Sequence, residues 1–263
     1  MDDPNKTIPV SSVPVVILAG GKAKPELEAV IGTSVRALAV VFGKTLLDHI
    51  LDAAKSAAYV GPITVVGNVP ASPCYQSIPD GGDFVTNILA GVETCKNEKY
   101  VLVTTSDLPY ITEFTVQSFL TEAIALADAT GAQMIYPIVE VAACYARFPG
   151  IKRTARKLKE GAFTGGNMML MRPEFVLQQR QRITDAYAAR KSPARLAAML
   201  GYGTLIRLVL SQTISPNLLT ISLLEGRASS MLGGAVRALI TPCVDIATDL
   251  DKPSDFIAAK AND

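Results

Sequence analysis

Along the first half of the chain, short apolar runs alternate with longer segments in which apolar residues recur every three or four positions. The short runs are Val13 to Leu18, Ile63 to Val66, Tyr100 to Thr104 and Gln133 to Pro137, each rich in Val, Ile or Leu at successive positions. A strand that is apolar on both faces is covered on both faces, as in a parallel sheet between helix layers. The intervening segments supply those helices. "TLLDHILDAAKSA" aligns Leu46, Leu47, Ile50, Leu51 and Ala54 along one stripe. "FVTNILAGVETC" and "EFTVQSFLTEAIALADATG" repeat the spacing, the second closing on Gly131 as a helix C-cap would. From Arg172 to about Gly234 long helical stretches with Arg and Gln predict a helical insertion at about 173–234. "NLLTISLL" and "AVRALITPCVDIA" read as a late strand pair and "DLDKPSDFIAAKA" as a terminal helix. The expected fold is α/β, a three-layer sandwich with a mostly parallel sheet, forming one domain over residues 1–263.

Four patches fall at the predicted carboxyl ends of strands, where open α/β sheets bind ligands. Leu18-Ala19-Gly20-Gly21-Lys22 follows the first strand; glycines there let backbone N–H groups approach phosphates and a lysine neutralises them, although a plain tight turn accounts for the glycines equally well. It matches neither GxGxxG nor GxxxxGK[ST]. Asp107, just past the third strand, is placed either to hold a Mg2+ or to cap the following turn. In "FTGGNMMLM" the pair Gly165 and Gly166 implies close approach of backbone or ligand, or a β-bulge. In "DIATDLDKPSDF", Asp249 and Asp251 at i, i+2 point the same way in an extended segment, while Asp255 suits the start of the terminal helix.

Taken in order, "LAGG", "RALAVVFGKTLLDHIL", "VLVTTSDLP", "FTGGN" and "DLDKPSDF" resemble the MobA-like nucleotidyltransferases, over about residues 13–172 and 235–258. The resemblance implies a Rossmann-like, GT-A-like sandwich and transfer of an NMP group from an NTP (CTP, GTP or UTP) to a phosphorylated small-molecule acceptor, with release of pyrophosphate. It implies that Leu18, Ala19, Gly20 and Gly21 wrap the triphosphate and that Gly81, Gly82 and Thr86 read the base. Lys22 and Arg36 would neutralise phosphates, and Asp107 with Asp249 or Asp251 would bind Mg2+. Thr164, Gly165, Gly166 and Asn167 fall to the acceptor side. Where the family continues "LAGG" with a short G-T/S-R-M segment, this chain has "KAKPELEAVIGTSVR", with Lys22 or Lys24 in place of the signature arginine. The basic run from Lys152 to Lys159 either approaches the acceptor phosphate or forms a solvated helix face.

Composition narrows the remaining classes. Lys and Arg total 25 against 24 Asp and Glu, so no overall field draws the protein to nucleic acid or anionic lipid. The four cysteines form no CxxC pair and read as buried thiols, and the polar, acidic start "MDDPNKTIPVSS" is unlike a signal peptide, so a cytoplasmic protein is expected. The apolar tract from Leu196 to Leu224 is interrupted by Arg207, Gln212, Pro216 and Asn217, so no transmembrane segment is expected. Its apolar face suits an acceptor cover, a homodimer contact or a membrane-surface contact. The one histidine, His49, sits in a helical stripe and reads as structural. Two further readings stay open: a GT-A-like glycosyltransferase, against which "TSDLP" offers a single carboxylate where a DxD is needed, and a nucleotide-binding protein without turnover.

Overall fold

The computed structural model describes residues 12–260 apart from 152, 191, 193, 194, 196–198 and 200. In chain order the elements are β1 (Val13–Leu18), α1 (Pro25–Ile31), β2 (Val40–Val41), β3 (Lys44–Thr45), α2 (Leu46–Ser56), β4 (Val60–Val66), β5 (Gln76–Ile78) and α3 (Phe84–Glu93). There follow β6 (Val101–Thr105), α4 (Glu113–Thr130), β7 (Met134–Glu140), α5 (Val141–Arg147), β8 (Arg156–Leu158), β9 (Gly161–Gly165) and β10 (Met168–Met171). The remainder is α6 (Pro173–Gln178), α7 (Arg180–Ala189), α8 (Tyr202–Thr213), α9 (Ile221–Leu232), β11 (Val236–Ile240) and α10 (Pro253–Lys260).

The central sheet runs β5-β4-β1-β6-β10-β7-β9-β8, with β11 also on β7. The pairs from β5 to β6 are parallel, as is β7 with β11, whereas β10 lies antiparallel between β6 and β7. The result is the expected mixed, mostly parallel Rossmann-like sheet between helix layers. The two-sided apolar run of β1 now has its cause: Val13, Val15 and Ile17 face the core beneath α2 and α4, while Val16 and Leu18 face a second core beneath α3 and α6. β6 divides likewise, Leu102 to the first face and Val101 and Val103 to the second.

β9 and β10 are two stretches of one antiparallel partner of β7. Ile138 and Val139 pair with Gly165 and Thr164, Ile135 and Met134 pair with Leu170 and Met171, and Gly166 and Asn167 leave the ladder between them. The paired glycines thus sit at a break in the ladder, where the Gly166 N–H donates to Pro137 at 2.9 Å and the Asn167 N–H to Ile246 at 2.8 Å.

The segment "NLLTISLL" is not a strand. Residues Pro216–Leu218 form one tight turn, and the Thr220 hydroxyl accepts from the Leu223 N–H at 3.1 Å, starting α9. The apolar residues that looked like a strand pack at helical spacing, Ile221, Leu223 and Leu224 against Leu158 and Phe163. Nor is the basic run a helix: Arg156–Leu158 is β8, paired with β9, and Lys152 lies outside the described residues. Among the described residues, no helix is long and apolar enough to cross a membrane.

One close packing in this fold is directly testable. Gly91 of α3 lies against β1 so closely that an added Cβ would overlap Val16 and come within 3.1 Å of Val66. Gly91→Ala is expected to cost about 1–3 kcal/mol by overpacking, despite alanine's better helix propensity. A thermal melt of the variant lowered by several degrees confirms this, and an unchanged or raised midpoint refutes it.

Candidate active site

The site is assembled by strand adjacency. β1 and β6 are parallel neighbours with Leu18 opposite Thr105, and the Ser106 N–H donates to the Leu18 carbonyl at 3.1 Å. The glycine turn after β1 and Asp107 after β6 therefore leave the same edge of the sheet side by side. Asp107 is only 5% exposed and accepts from the Thr105 hydroxyl at 2.5 Å. The far end of the chain reaches the same place because the Leu250 N–H donates to the Asp107 carbonyl at 3.1 Å. Asp255 accepts from the backbone N–H groups of Asp251 at 3.2 Å and Lys252 at 2.9 Å, fixing this loop at the start of α10, the structural role its position implied.

As a result Asp107, Asp249 and Asp251 each bring a carboxylate oxygen to within 4.8 Å of the others. Arg36 neutralises part of this charge, its Nη2 lying 3.0 Å from Asp107 and its Nη1 bonded to Asp251. Arg153 contributes from the other side, its Nη1 3.4 Å from Asp249. Burial, then the charges of Asp107 and Asp251, push the Asp249 carboxyl up to about 7. Burial alone would lower the Arg36 guanidinium, yet Asp107, Asp251 and Asp249 together hold it above its ordinary value. A set of three carboxylates suits a hard divalent cation such as Mg2+, whose charge would relieve the repulsion that raises Asp249.

Around the glycine turn the structure adds residues that the motif reading missed. Gly21 has φ +102°, a left-handed conformation open to glycine, and its N–H donates to Asp80 at 3.2 Å. Asp80 also accepts from the Asn87 amide at 2.8 Å and the Gly82 N–H at 3.0 Å, and Asn87 accepts from the Gly81 N–H at 2.7 Å. A Cβ on Gly20 would overlap the Asn87 amide and lie 2.7 Å from Asp80 Oδ1, so this glycine is required by the network closing over it. The hydrogen bond from Asn87, then that from Gly82, hold the Asp80 carboxyl below its ordinary value. The signal for Asp80 was present as a carboxylate directly before Gly81 and Gly82, but nothing in the local pattern tied it to residue 21.

The remaining anticipated residues take varied positions. Leu18 and Ala19 are buried at the strand end, the Ala19 N–H committed to the Val66 carbonyl at 2.8 Å. Gly81 and Gly82 are exposed beside the turn. Thr86 is turned to Asp83, which accepts from its hydroxyl and, at 3.1 Å, from its N–H, so Thr86 belongs to the cap of α3. The unusual segment after "LAGG" folds as α1, closed by a bridge between Lys22 and Val35 that places Arg36 at the carboxylates. His49 Nε2 lies 2.8 Å from the Val41 carbonyl, in keeping with a structural role. Cys95, Cys144 and Cys243 are buried free thiols, but Cys74 is exposed, because the loop between β4 and β5 turns its neighbours Val69 and Tyr75 to the core instead.

Two cavities meet at this cluster. One, of about 440 Å³, is lined by Lys22, Lys24, Arg36, Asp251 and Lys252. The other, of about 170 Å³, is lined by Arg153, Thr164, Gly165, Asn167, Asp249 and Asp251. Gly166 itself is buried at the ladder break behind it.

A glycine turn and an acidic cluster at adjacent carboxyl ends of a mostly parallel sheet define a nucleotide-handling transferase. The comparisons make this specific. Residues 15–196 match the model of the MobA-like NTP transferase domain, and the chain belongs to that family and is a nucleotidyltransferase. A hypothetical transferase from Thermus thermophilus superposes with TM-score 0.81 at 32% identity, over 93% of this chain and 99% of its own. The fold is shared with 2-C-methyl-D-erythritol 4-phosphate cytidylyltransferase from the same organism, at TM-score 0.52 and 15% identity over 94% and 96% of the two chains. It is shared too with a CMP:2-keto-3-deoxy-manno-octonic acid synthetase solved with CTP, at TM-score 0.56 and 14% identity over 96% and 98%. No curated protein matches the chain in sequence.

The raised Asp249 carboxyl makes a pH prediction. Its folded pKa, about 7, lies above the unfolded value near 3.8, so the fold favours the protonated form. That contribution is complete below pH ~4 and is lost as pH rises through ~7. In EDTA, the melting midpoint of the native chain should fall from pH 5 to pH 8 by at least about 2 °C more than that of Asp249→Asn, whatever their offset. Parallel pH profiles for the two proteins would contradict the assignment.

Proposed function

We propose that the protein transfers the NMP group of an NTP to a phosphorylated small-molecule acceptor in a Mg2+-dependent reaction. The observation that carries this reading is the position of the acidic cluster between two cavities, one rimmed by lysines beside the glycine turn, the other holding Arg153, Thr164 and Asn167. Asp107, Asp249 and Asp251 would hold Mg2+, which supplies charge neutralisation at the phosphates when bound. An acceptor phosphate oxygen attacks the α-phosphorus, the bond from that phosphorus to the bridging oxygen breaks, and the electron pair leaves with pyrophosphate. The acceptor phosphate is already an anion, so no general base is needed, in keeping with a chain whose one histidine is structural. Lys22 and Arg36 face the triphosphate side and meet the charge on the α-phosphate and the leaving group.

The nucleotide is read beside Gly81 and Gly82, with Asp80 and Asn87 on the same rim. CTP is the first nucleotide to test, because the cytidylyltransferases share the fold. The experiment is pyrophosphate release with CTP, GTP or UTP, Mg2+ and a panel of phosphorylated acceptors. Asp107→Asn is expected to lower turnover by about 10²–10³ or more, and Arg36→Met by about 10². Unchanged turnover in Asp107→Asn, or hydrolysis of a nucleotide-sugar in place of pyrophosphate release, overturns the reading.

A further inference from the structure

Arg153 is 4% exposed at its side chain, yet among the described residues its Nε and Nη2 have no hydrogen-bond partner. Its single ion-pair contact, to Asp249, is long at 3.4 Å. A guanidinium withdrawn from water with two nitrogens unmet is costly unless an anion completes it. It lines the smaller cavity at the carboxylates, together with Thr164 and Gly165.

Those last two residues are also in the wall of a third cavity, of about 270 Å³. Ile138, Leu158 and Phe163 form its sheet side, and Ile221, Leu224 and Ala228 of α9 form the other. Glu225 in the same wall is committed to the Ala238 N–H at 2.7 Å, and Arg237 to the Val236 carbonyl at 2.9 Å, which leaves the lining mainly apolar. Tyr136 stands where the two spaces share Gly165. Its ring lines the apolar cavity, and its hydroxyl lies against Gly165, where a Cβ would overlap it. Protein interiors leave few voids larger than a water molecule, whereas a cavity of about 150 Å³ accepts benzene. A cavity of about 270 Å³ that shares Thr164 and Gly165 with the one holding an unsatisfied guanidinium has the dimensions of a ligand site.

We infer that Arg153 holds the phosphate of the acceptor and that the apolar cavity under α9 holds its body, so that the acceptor class is a phosphate monoester of an apolar alcohol. This rests on the transferase reading for the identity of the ligand as acceptor. The helical segment then supplies a specificity wall.

The test is calorimetric titration of the full chain with methyl, butyl and hexyl phosphate. The Kd is expected to fall about fourfold for each methylene buried, until the cavity is filled. Ala228→Trp should flatten the series, with Ala228→Leu as a milder filling variant if circular dichroism finds the first misfolded. Arg153→Met should weaken every member of the series alike, by tenfold or more. Equal affinity for methyl and hexyl phosphate, or a chain-length slope that survives filling at residue 228, overturns the inference. Mg2+-dependent binding of CTP, GTP and UTP is titrated separately. Binding of any one of them without a chain-length slope refutes this inference alone, and failure of all three to bind with the slope retained faults the transferase reading instead.

Discussion

Three carboxylates whose oxygens lie within 4.8 Å of one another repel, and the architecture of this site follows from how that repulsion is met. Burial and, after it, the neighbouring charges of Asp107 and Asp251 raise the Asp249 carboxyl, which records the cost of bringing the three together. Arg36 carries most of the compensation, touching Asp107 and Asp251 together. Its place is set by α1 and the Lys22–Val35 bridge, so the segment that departs most from the family pattern is the one that delivers the cation. The same guanidinium also lines the lysine-rimmed cavity, so on the proposed reading it stands where both the acids and a triphosphate would call on it.

The glycines of the site share a common physics. Gly20 lacks a Cβ because Asp80 and Asn87 close over it, and Gly165 lacks one because the Tyr136 hydroxyl fills that space. Neither is explained by backbone freedom alone. In both, the missing side chain lets a polar group from another element reach the strand end. Gly21 is the different case, its positive φ turning its N–H toward the Asp80 carboxylate. That N–H is thereby committed to a carboxylate 59 residues away, which ties the turn after β1 to the start of α3.

How much of this was legible in the chain depended on the range of each signal. β1 and β6 declared themselves because both faces are buried, and Asp107 because it follows such a run directly. Asp249 and Asp251 were readable as an i, i+2 pair, and Arg36 through family resemblance. Arg153 was read only as one of the basic run, with two readings open, since its partner lies 96 residues away and a single arginine in such a run carries no period. Asp80 and Asn87 were missed for the same reason, the first contact spanning 59 residues. "NLLTISLL" was misread because a short apolar run fits strand and helix equally; Thr220, whose hydroxyl caps the helix, was the signal that decides it. The apolar run of β10 was read as a strand entered through Gly165 and Gly166, whereas β8 and β9 escaped notice because three to five residues are too few to show an alternation.

The separation between what was read and what was not has a physical meaning. The legible residues belong to strand ends, where the sheet itself fixes positions and any nucleotidyl transfer needs the same charges. Those read less well are Arg153, in the loop before β8, Tyr136 on β7 and the inner face of α9, which line the site from the side away from β1 and β6. A ladder break at Gly166 and Asn167 lets β9 swing away from β10 while both stay on β7, and that divergence opens room between the carboxylates and α9. On the proposed reading, the chemistry belongs to the parallel strand ends and selection of the second substrate to this less constrained side, so that a change of acceptor would call for repacking α9 against Phe163 and Leu158 and leave the carboxylates where they are.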